Sequence, residues 1–297
     1  MNLLQTIKLK IVHTFRDVLN KRKRRKQLKE LFRYYESRSV DADQKKALDY
    51  LREKNRLTAF PHPFDEKYDY KNIEAHFDGH AKLYYVIHNN KRLYFSKSYT
   101  KIGVKKLYAS LISESDPESP HRYLSEDFKI EPDDVLVDVG CAEGILSLDA
   151  VETAKKICLF EYDDNFIEAL KHTFKPWKDK VEIVKKFVSD NDEGNNISLD
   201  TYFKNKTDKP SFIKIDVEGA EQKVLNGMSQ ICKSADNLKA AICTYHKCDD
   251  LEVLSSIMSD NGFRVSVASG YMIYLSDFRP PYFRRGLIRA TKKTNRN

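Results

Sequence analysis

Several large protein classes are excluded by what this chain lacks. It has only 10 Gly and 9 Pro in 297 residues and no low-complexity tract. Collagen-like and linker-dominated architectures therefore do not apply. Its five cysteines (Cys141, Cys158, Cys232, Cys243 and Cys248) are an odd number with no Cys-x-x-Cys pair. That pattern fits free thiols in a reducing compartment, not a secreted disulfide framework. Cys243, His246 and Cys248 are close in sequence but fall short of a four-ligand zinc set, and no metal is expected. No apolar run approaches the length of a membrane span. The first basic cluster follows the first apolar segment, whereas in a signal peptide it would precede it. A Gly-x-Gly-x-x-Gly fingerprint is also missing, which argues against a dehydrogenase.

Charge is concentrated at the two ends. Residues 1–60 hold 17 Lys/Arg against 7 Asp/Glu, and residues 278–297 hold 7 Lys/Arg and no acid. Out of a chain total of +8, this leaves −9 for residues 61–277. Basic ends either attract an anionic partner or are solvated charge runs. Leu4, Ile7, Ile11, Phe15, Val18 and Leu19 recur at helical steps, and six basic residues follow at 21–26. That combination suits a peripheral association of residues 1–26 with an anionic membrane, at the inner face of a cytoplasmic membrane. The competing reading packs the same apolar stripe on the rest of the protein.

The spacing divides the chain into a basic helical arm (1–60), an accessory region (61–125), a main domain (126–277) and a basic tail (278–297). Phe60-Pro61-His62-Pro63 ends the arm, because proline disfavours helix in the residue before it. Within the accessory region, two β-prone runs around Asn89-Asn90 predict a hairpin over 83–95. From 134 onward strands and helices alternate, with strands at 134–139, 157–161, 182–188, 211–216 and 239–245. This predicts a parallel sheet covered by helices on both faces. The last two apolar runs, 263–268 and 271–275, are separated by two residues. So short a link predicts an antiparallel hairpin closing the sheet.

The chemistry is concentrated at the ends of these strands, where open parallel sheets bind ligands. Asp138 opens an Asp-x-Gly-x-x-x-Gly turn through Gly140, Cys141, Ala142 and Gly144, whose glycines let backbone approach a ligand. Glu161 lies about twenty residues further on, where a carboxylate accepts ribose hydroxyls. Tyr162 is placed to pack on a base, and Ser189-Asp190 ends the third strand, where Asp190 can accept from an adenine amino group. Asp216 ends the fourth strand. Glu221 follows at a helix start, where capping that helix is its expected role. His246 ends the fifth strand and suits a general base near neutral pH. His121, just before the first strand, is either a second base or part of an ordinary surface turn.

Val137-Asp-Val-Gly-Cys-Ala-Glu-Gly144, Glu161, Ser198-Leu-Asp200 and Lys214-Ile-Asp-Val-Glu-Gly-Ala-Glu221 together resemble the FkbM family of S-adenosylmethionine (SAM)-dependent methyltransferases. The resemblance covers about 134–275. It implies an α/β, Rossmann-like class I methyltransferase fold, with parallel strands closed by an antiparallel C-terminal hairpin. The N-terminal helical arm and the small hairpin region would be additions to it. It further implies SAM bound by Asp138, Gly140, Cys141, Ala142, Gly144, Glu161, Tyr162, Ser189, Asp190 and Asp216. Methyl transfer to an oxygen would follow, typically a sugar hydroxyl in a polysaccharide or glycolipid, with Asp216, His246 and His121 as candidate catalytic groups. The basic ends leave an RNA methyltransferase as the alternative. Arg279-Pro-Pro-Tyr lies after the last strand and lacks the acid, amide or serine that precedes the prolines in amino-methylating enzymes, so nucleic acid is disfavoured. A non-catalytic glycan-binding scaffold is the third reading, and the intact acidic and glycine positions argue against it.

Overall fold

The computed structural model describes residues 22–293. The apolar stripe at 3–19 and most of the segment 1–26, for which association with an anionic membrane is one of two expectations, lie outside these residues. Among the described residues, no helix is long and apolar enough to cross a membrane.

The described residues begin with a helix over 22–36 (α1), followed by α2 (Ala42–Lys54). Asp41 caps α2 in a capping box with Gln44. A three-stranded meander follows: β1 (His76–Asp78), β2 (Leu83–His88) and β3 (Lys91–Tyr94). Asn89 and Asn90 both have positive φ (47° and 64°), the backbone that a tight two-residue hairpin turn requires. The predicted hairpin is present, and β1 adds a third strand to it. Helix α3 (Lys101–Glu114) then leads to the main sheet.

Seven strands build that sheet: β4 (Val135–Val139), β5 (Lys156–Phe160), β6 (Val181–Val184), β9 (Phe212–Ile215), β10 (Asn237–Cys243), β11 (Arg264–Val267) and β12 (Leu287–Lys293). A small separate pair, β7 (Phe187–Val188) and β8 (Asn196–Ile197), lies between β6 and β9 in the sequence. The main sheet runs β11-β12-β10-β9-β4-β5-β6. β4, β5, β6, β9 and β10 pair in parallel, whereas β12 is antiparallel to both of its neighbours. The chain leaves β4 in one direction and returns to β9 on its other side, which opens a crevice at the carboxyl ends of those two strands.

Side-chain alternation divides the core into two layers. Leu136, Ile157 and Leu159 face the meander and α3, packing with Val86, Leu93 and Val104. Val137, Val139, Ile213, Ile215 and Ile288 face the opposite way. They pack on α7 (Glu221–Asn226), α8 (Ser229–Ser234) and α9 (Asp250–Asp260), through Val224, Met228, Leu254 and Met258.

Two expectations are corrected here. The partner of β11 is Leu287–Lys293, not 271–275. Ile273 is drawn instead into a cluster with Leu28, Leu31 and Leu51 of α1 and α2, together with Tyr282 and Phe283. Met272 keeps only an isolated bridge to Arg284. The run 271–275 is apolar because it docks on the helical arm.

The second correction concerns the C-terminal cations, three of which are held inside the fold. Arg284 is buried and donates to the carbonyls of Tyr245 (2.7 Å), His246 (2.9 Å) and Asp277 (3.0 Å). Arg289 donates to the carbonyls of Arg122 and Tyr123, and Lys292 to that of Cys232. Charge alone marked this segment as a tail, but Tyr282, Phe283, Leu287, Ile288 and Ala290 within it are apolar and buried.

Ile288 therefore sits in the core. Ile288→Ala is expected to cost about 2–5 kcal/mol of unfolding free energy in a denaturant titration. A loss within about 0.5 kcal/mol, typical of a surface position, would contradict the central placement of β12.

Candidate active site

The crevice at β4 and β9 is lined by Asp138, Gly140, Cys141, Ala142, Glu143 and Gly144 of the first loop. Lys214 and Asp216 of β9 and its end, Glu114 of α3, and Tyr123 also face it. The loop sits tightly on β9. Gly140 has φ +72°, and a Cβ there would lie 2.0 Å from the Asp216 carbonyl oxygen. Gly144, at φ +73°, starts α4 (Ile145–Ala150), and a Cβ there would meet Leu170 at 2.8 Å. Neither position tolerates a side chain, so the loop presents bare backbone.

Glu161 holds this loop from the neighbouring strand end. It accepts from the Ala142 N–H (3.2 Å) through one oxygen and from the Tyr162 (2.7 Å) and Asp163 (2.9 Å) N–H groups through the other. Tyr162 stacks on Phe187, with ring centroids 4.0 Å apart. Ser189 is buried, and its N–H is bonded to the Ile197 carbonyl. Asp190 is exposed and accepts from Ser189 and Asn191. Tyr162, Ser189 and Asp190 are not among the crevice-lining residues. Cys141 is buried, which pushes its thiol well above the usual range.

Lys214 is the buried cation of the site. Its Nζ lies 3.1 Å from Asp138 Oδ1 and donates to the Gly140 carbonyl at 2.6 Å. Asp138 also accepts from Ser147 Oγ at 2.7 Å. Burial works against the charge on Lys214, but Asp138 and Asp216 outweigh it and hold its pKa above the ordinary value. A lone charged residue inside the run Phe212-Ile-Lys-Ile-Asp216 was the available signal for this pair, since a buried charge needs a partner.

All three candidate catalytic residues meet. Asp216 Oδ2 is 3.6 Å from His121 Nε2, and Asp216 Oδ1 is 3.6 Å from His246 Nε2. Tyr123 and Tyr245 donate their hydroxyls to the same carboxylate at 2.8 and 3.2 Å. Sequence reasoning gave neither tyrosine a role. Burial opposes the charge of Asp216, but His121, Lys214 and His246 prevail and hold its pKa far below the usual carboxylate range. Such a carboxylate is a permanent anion and a weak base.

His246 is differently placed. Its Nδ1 lies 2.9 Å from Glu221 Oε1, although the ring N–H is not aligned well enough on that oxygen to count as a hydrogen bond. The same Glu221 oxygen accepts from the Val217 (3.0 Å) and Gly219 (3.3 Å) N–H groups. Glu221 thus ties down the turn before α7, as its position at a helix start predicted, and also touches His246. Glu218 Oε2 is 3.5 Å from Nε2. Burial lowers the pKa of His246, but Glu221 and then Asp216 raise it more, leaving it above the ordinary value. Burial likewise pushes Glu221 up, and His246 brings it below its ordinary value.

Two sets have ligand atoms close enough to share a metal ion: His121, Asp216 and Cys243, and Asp216, Glu221 and His246. In the second, Glu221 approaches one ring nitrogen of His246 and Asp216 the other. In the first, burial pushes the Cys243 thiol well above the usual range. Cys248 is exposed and lies against Arg284 and the Pro280 carbonyl. Among the described residues all five thiols are free.

The sheet order, with one antiparallel strand inserted beside the fifth parallel one, and the bare loop after the first strand are those of a class I methyltransferase fold. Residues 154–265 match the family model described as the methyltransferase FkbM domain. Among solved structures, a methyltransferase FkbM from Methylobacillus flagellatus KT is similar at 16% identity, covering 84% of this chain and 62% of its own, with a TM-score of 0.45. A precorrin-6y C5,15-methyltransferase from Geobacter metallireducens GS-15 is similar at 16% identity over 55% of this chain and 84% of its own, with a TM-score of 0.40. A putative RNA methyltransferase from Pyrococcus horikoshii is similar at 16% identity over 56% and 77%, with a TM-score of 0.36. No curated protein matches the chain.

Two outcomes test the electrostatics. Lys214→Met leaves Asp138 buried without its cation and is expected to cost about 3–5 kcal/mol of stability by chemical denaturation. The His246–Glu221 contact has a defined pH window. The raised His246 pKa stabilises the fold fully below the unfolded value of 6.5, and that contribution is lost as pH rises through the folded value. The depressed Glu221 pKa stabilises above the unfolded value of 4.5, and its contribution is lost as pH falls through the folded value. The pair therefore contributes most between these two limits. In an NMR titration Glu221→Gln should lower the His246 midpoint, because burial then acts with less opposition. An unchanged midpoint would show that Glu221 does not govern this imidazole.

Proposed function

We propose that the chain is a SAM-dependent O-methyltransferase acting on a hydroxyl of a sugar, in a polysaccharide or a glycolipid. The observation that carries this reading is His246, a buried imidazole three residues past β10, with Glu221 against one ring nitrogen and the crevice-lining Asp216 3.6 Å from the other. The residues present fit the cofactor. Gly140 and Gly144 keep the loop free of side chains, and the half-buried Glu161 stands at the next strand end, where ribose hydroxyls would be accepted. Tyr162, Ser189 and Asp190 would flank the base. SAM, when bound, supplies an electrophilic methyl group on a sulfonium.

The protein's own part is to place and deprotonate the acceptor. His246 Nε2 takes the hydroxyl proton. Glu221 fixes the ring and favours the imidazolium that forms. Asp216 remains charged and balances that cation without itself accepting the proton. Residues 61–125 bring Glu114 and Tyr123 to the crevice wall and so cover it. The RNA alternative drew on the basic ends, but Arg284, Arg289 and Lys292 are committed to internal carbonyls, which weakens it.

The test is methyl transfer from labelled SAM into glycan, lipid and RNA fractions of the source cells. Label in the glycan or glycolipid fraction is expected; label confined to RNA would overturn the acceptor assignment, and none in any fraction would favour a scaffold. His246→Ala should cut turnover by about 10²–10⁴-fold while leaving SAM affinity unchanged. Turnover of the wild type should rise with pH through the raised His246 pKa, and in Glu221→Gln that limb should move to lower pH. A pH profile with no such limb would remove His246 from the role of base.

A further inference from the structure

The crevice carries more negative charge than the reading above employs. Glu114, Asp138, Glu143 and Asp216 line it, Glu161 adjoins it through Ala142, and Lys214 is the one lysine or arginine among the lining residues. Two of these acids are already engaged: Asp138 by Lys214 and Ser147, and Asp216 by two histidines and two tyrosines. Glu143 is not. It is only 5% exposed, and its Oε1 is buried without a hydrogen-bond partner. A carboxylate in that position must either keep a proton or meet a cation. Burial, with the charges of Glu114 and Glu161, pushes its pKa up to about 7. Glu114 accepts from Ser110 at 3.1 Å on one oxygen, and its other oxygen is 3.9 Å from His121. It stands at the last residue of α3, where the helix dipole also favours positive charge.

We propose that Glu143, supported by Glu114, is a cation subsite that seats the α-ammonium group at the amino-acid end of the cofactor. The inference rests on the SAM reading above and assigns its amino-acid end to this part of the crevice. In the free protein Glu143 is partly protonated near neutral pH. On meeting the ammonium it ionises, and the proton is released to solvent. Affinity for an ammonium-bearing ligand then rises with pH up to about neutrality.

Two adenosine thioethers separate this role from a general one. S-Adenosylhomocysteine carries the ammonium; 5′-methylthioadenosine has the same adenosine and sulfur without it. Calorimetry on the full chain should show that Glu143→Gln weakens S-adenosylhomocysteine by about tenfold or more and changes 5′-methylthioadenosine by less than about twofold. Glu114→Gln should act in the same direction by a smaller factor. As a measurement that needs no variant, wild-type binding of S-adenosylhomocysteine near pH 7 should release a proton, read as an enthalpy that varies with the ionisation enthalpy of the buffer. Equal weakening of both ligands, undiminished S-adenosylhomocysteine binding by Glu143→Gln, or a buffer-independent enthalpy would each overturn the subsite. Failure of the wild type to bind either ligand would instead overturn the SAM reading, and the subsite with it.

Discussion

The buried ammonium of Lys214 is the constraint on which the rest of the site depends. It lies on β9 at the centre of the sheet, 4% exposed, and joins three pieces of backbone and side chain. Its contact with Asp138 ties the end of β4 to β9, and its bond to the Gly140 carbonyl fixes the first residue of the loop. Its field also helps keep Asp216 ionised. Desolvating one cation and two carboxylates is expensive, and only their mutual attraction and hydrogen bonds offset the cost. An apolar trio of equal volume would pack as well. It would not hold Asp216 as a fixed anion, and it would not pin the loop carbonyl.

A second constraint reaches the site from the far end of the sequence. Between β11 and β12 the chain leaves the sheet, docks on α1 and α2 through Ile273, Tyr282 and Phe283, and returns through Arg284. The Arg284 guanidinium grips the carbonyls of Tyr245 and His246. The residues that contact Asp216 are therefore positioned by a segment that also seats the helical arm. The Arg285 side chain extends the same link, 3.4 Å from Asp43 on α2. The arm is thus part of the framework that holds the fifth strand's end, whatever residues 1–21 do beyond it.

The parallel sheet and the loop were legible because β4, β5 and β9 are short apolar runs with an acid at or next to their ends, and because the glycines stand where positive φ is needed. The approach of Asp216 and His246 was legible as strand-end geometry, whereas His121, before the first strand, read equally as a surface turn. What sequence did not give is pairing over long separations. Nothing local distinguishes Tyr271–Leu275 from a strand; both are apolar and β-prone, and only the presence of α1 and α2 decides that Ile273 is buried against helices. The cations of 278–297 read as a solvated tail because charge is counted along the chain, whereas their carbonyl partners lie on other segments, 166 residues away for Arg289 and Tyr123 and 60 for Lys292 and Cys232. Glu221 was read for its local role alone, since its second contact, His246, is 25 positions further on.

The division of labour among the ionisable groups follows from how each is surrounded. Asp216 has two histidines, two tyrosine hydroxyls and a lysine around it, so its charge is stabilised from every side and its basicity is spent. His246 is bracketed by carboxylates, which makes it easy to protonate, and its Nε2 has no hydrogen bond within the protein. Placing a satisfied anion beside an unsatisfied, proton-seeking imidazole separates two tasks that one residue cannot perform together. In the proposed reaction the anion would stabilise positive charge at the crevice without moving a proton, and the imidazole would move the proton without having to carry the field. Glu143 extends the same logic along the loop. It is a third environment, neither satisfied like Asp216 nor cationic like His246, and its unpaired oxygen is explained by a positive charge that a ligand brings.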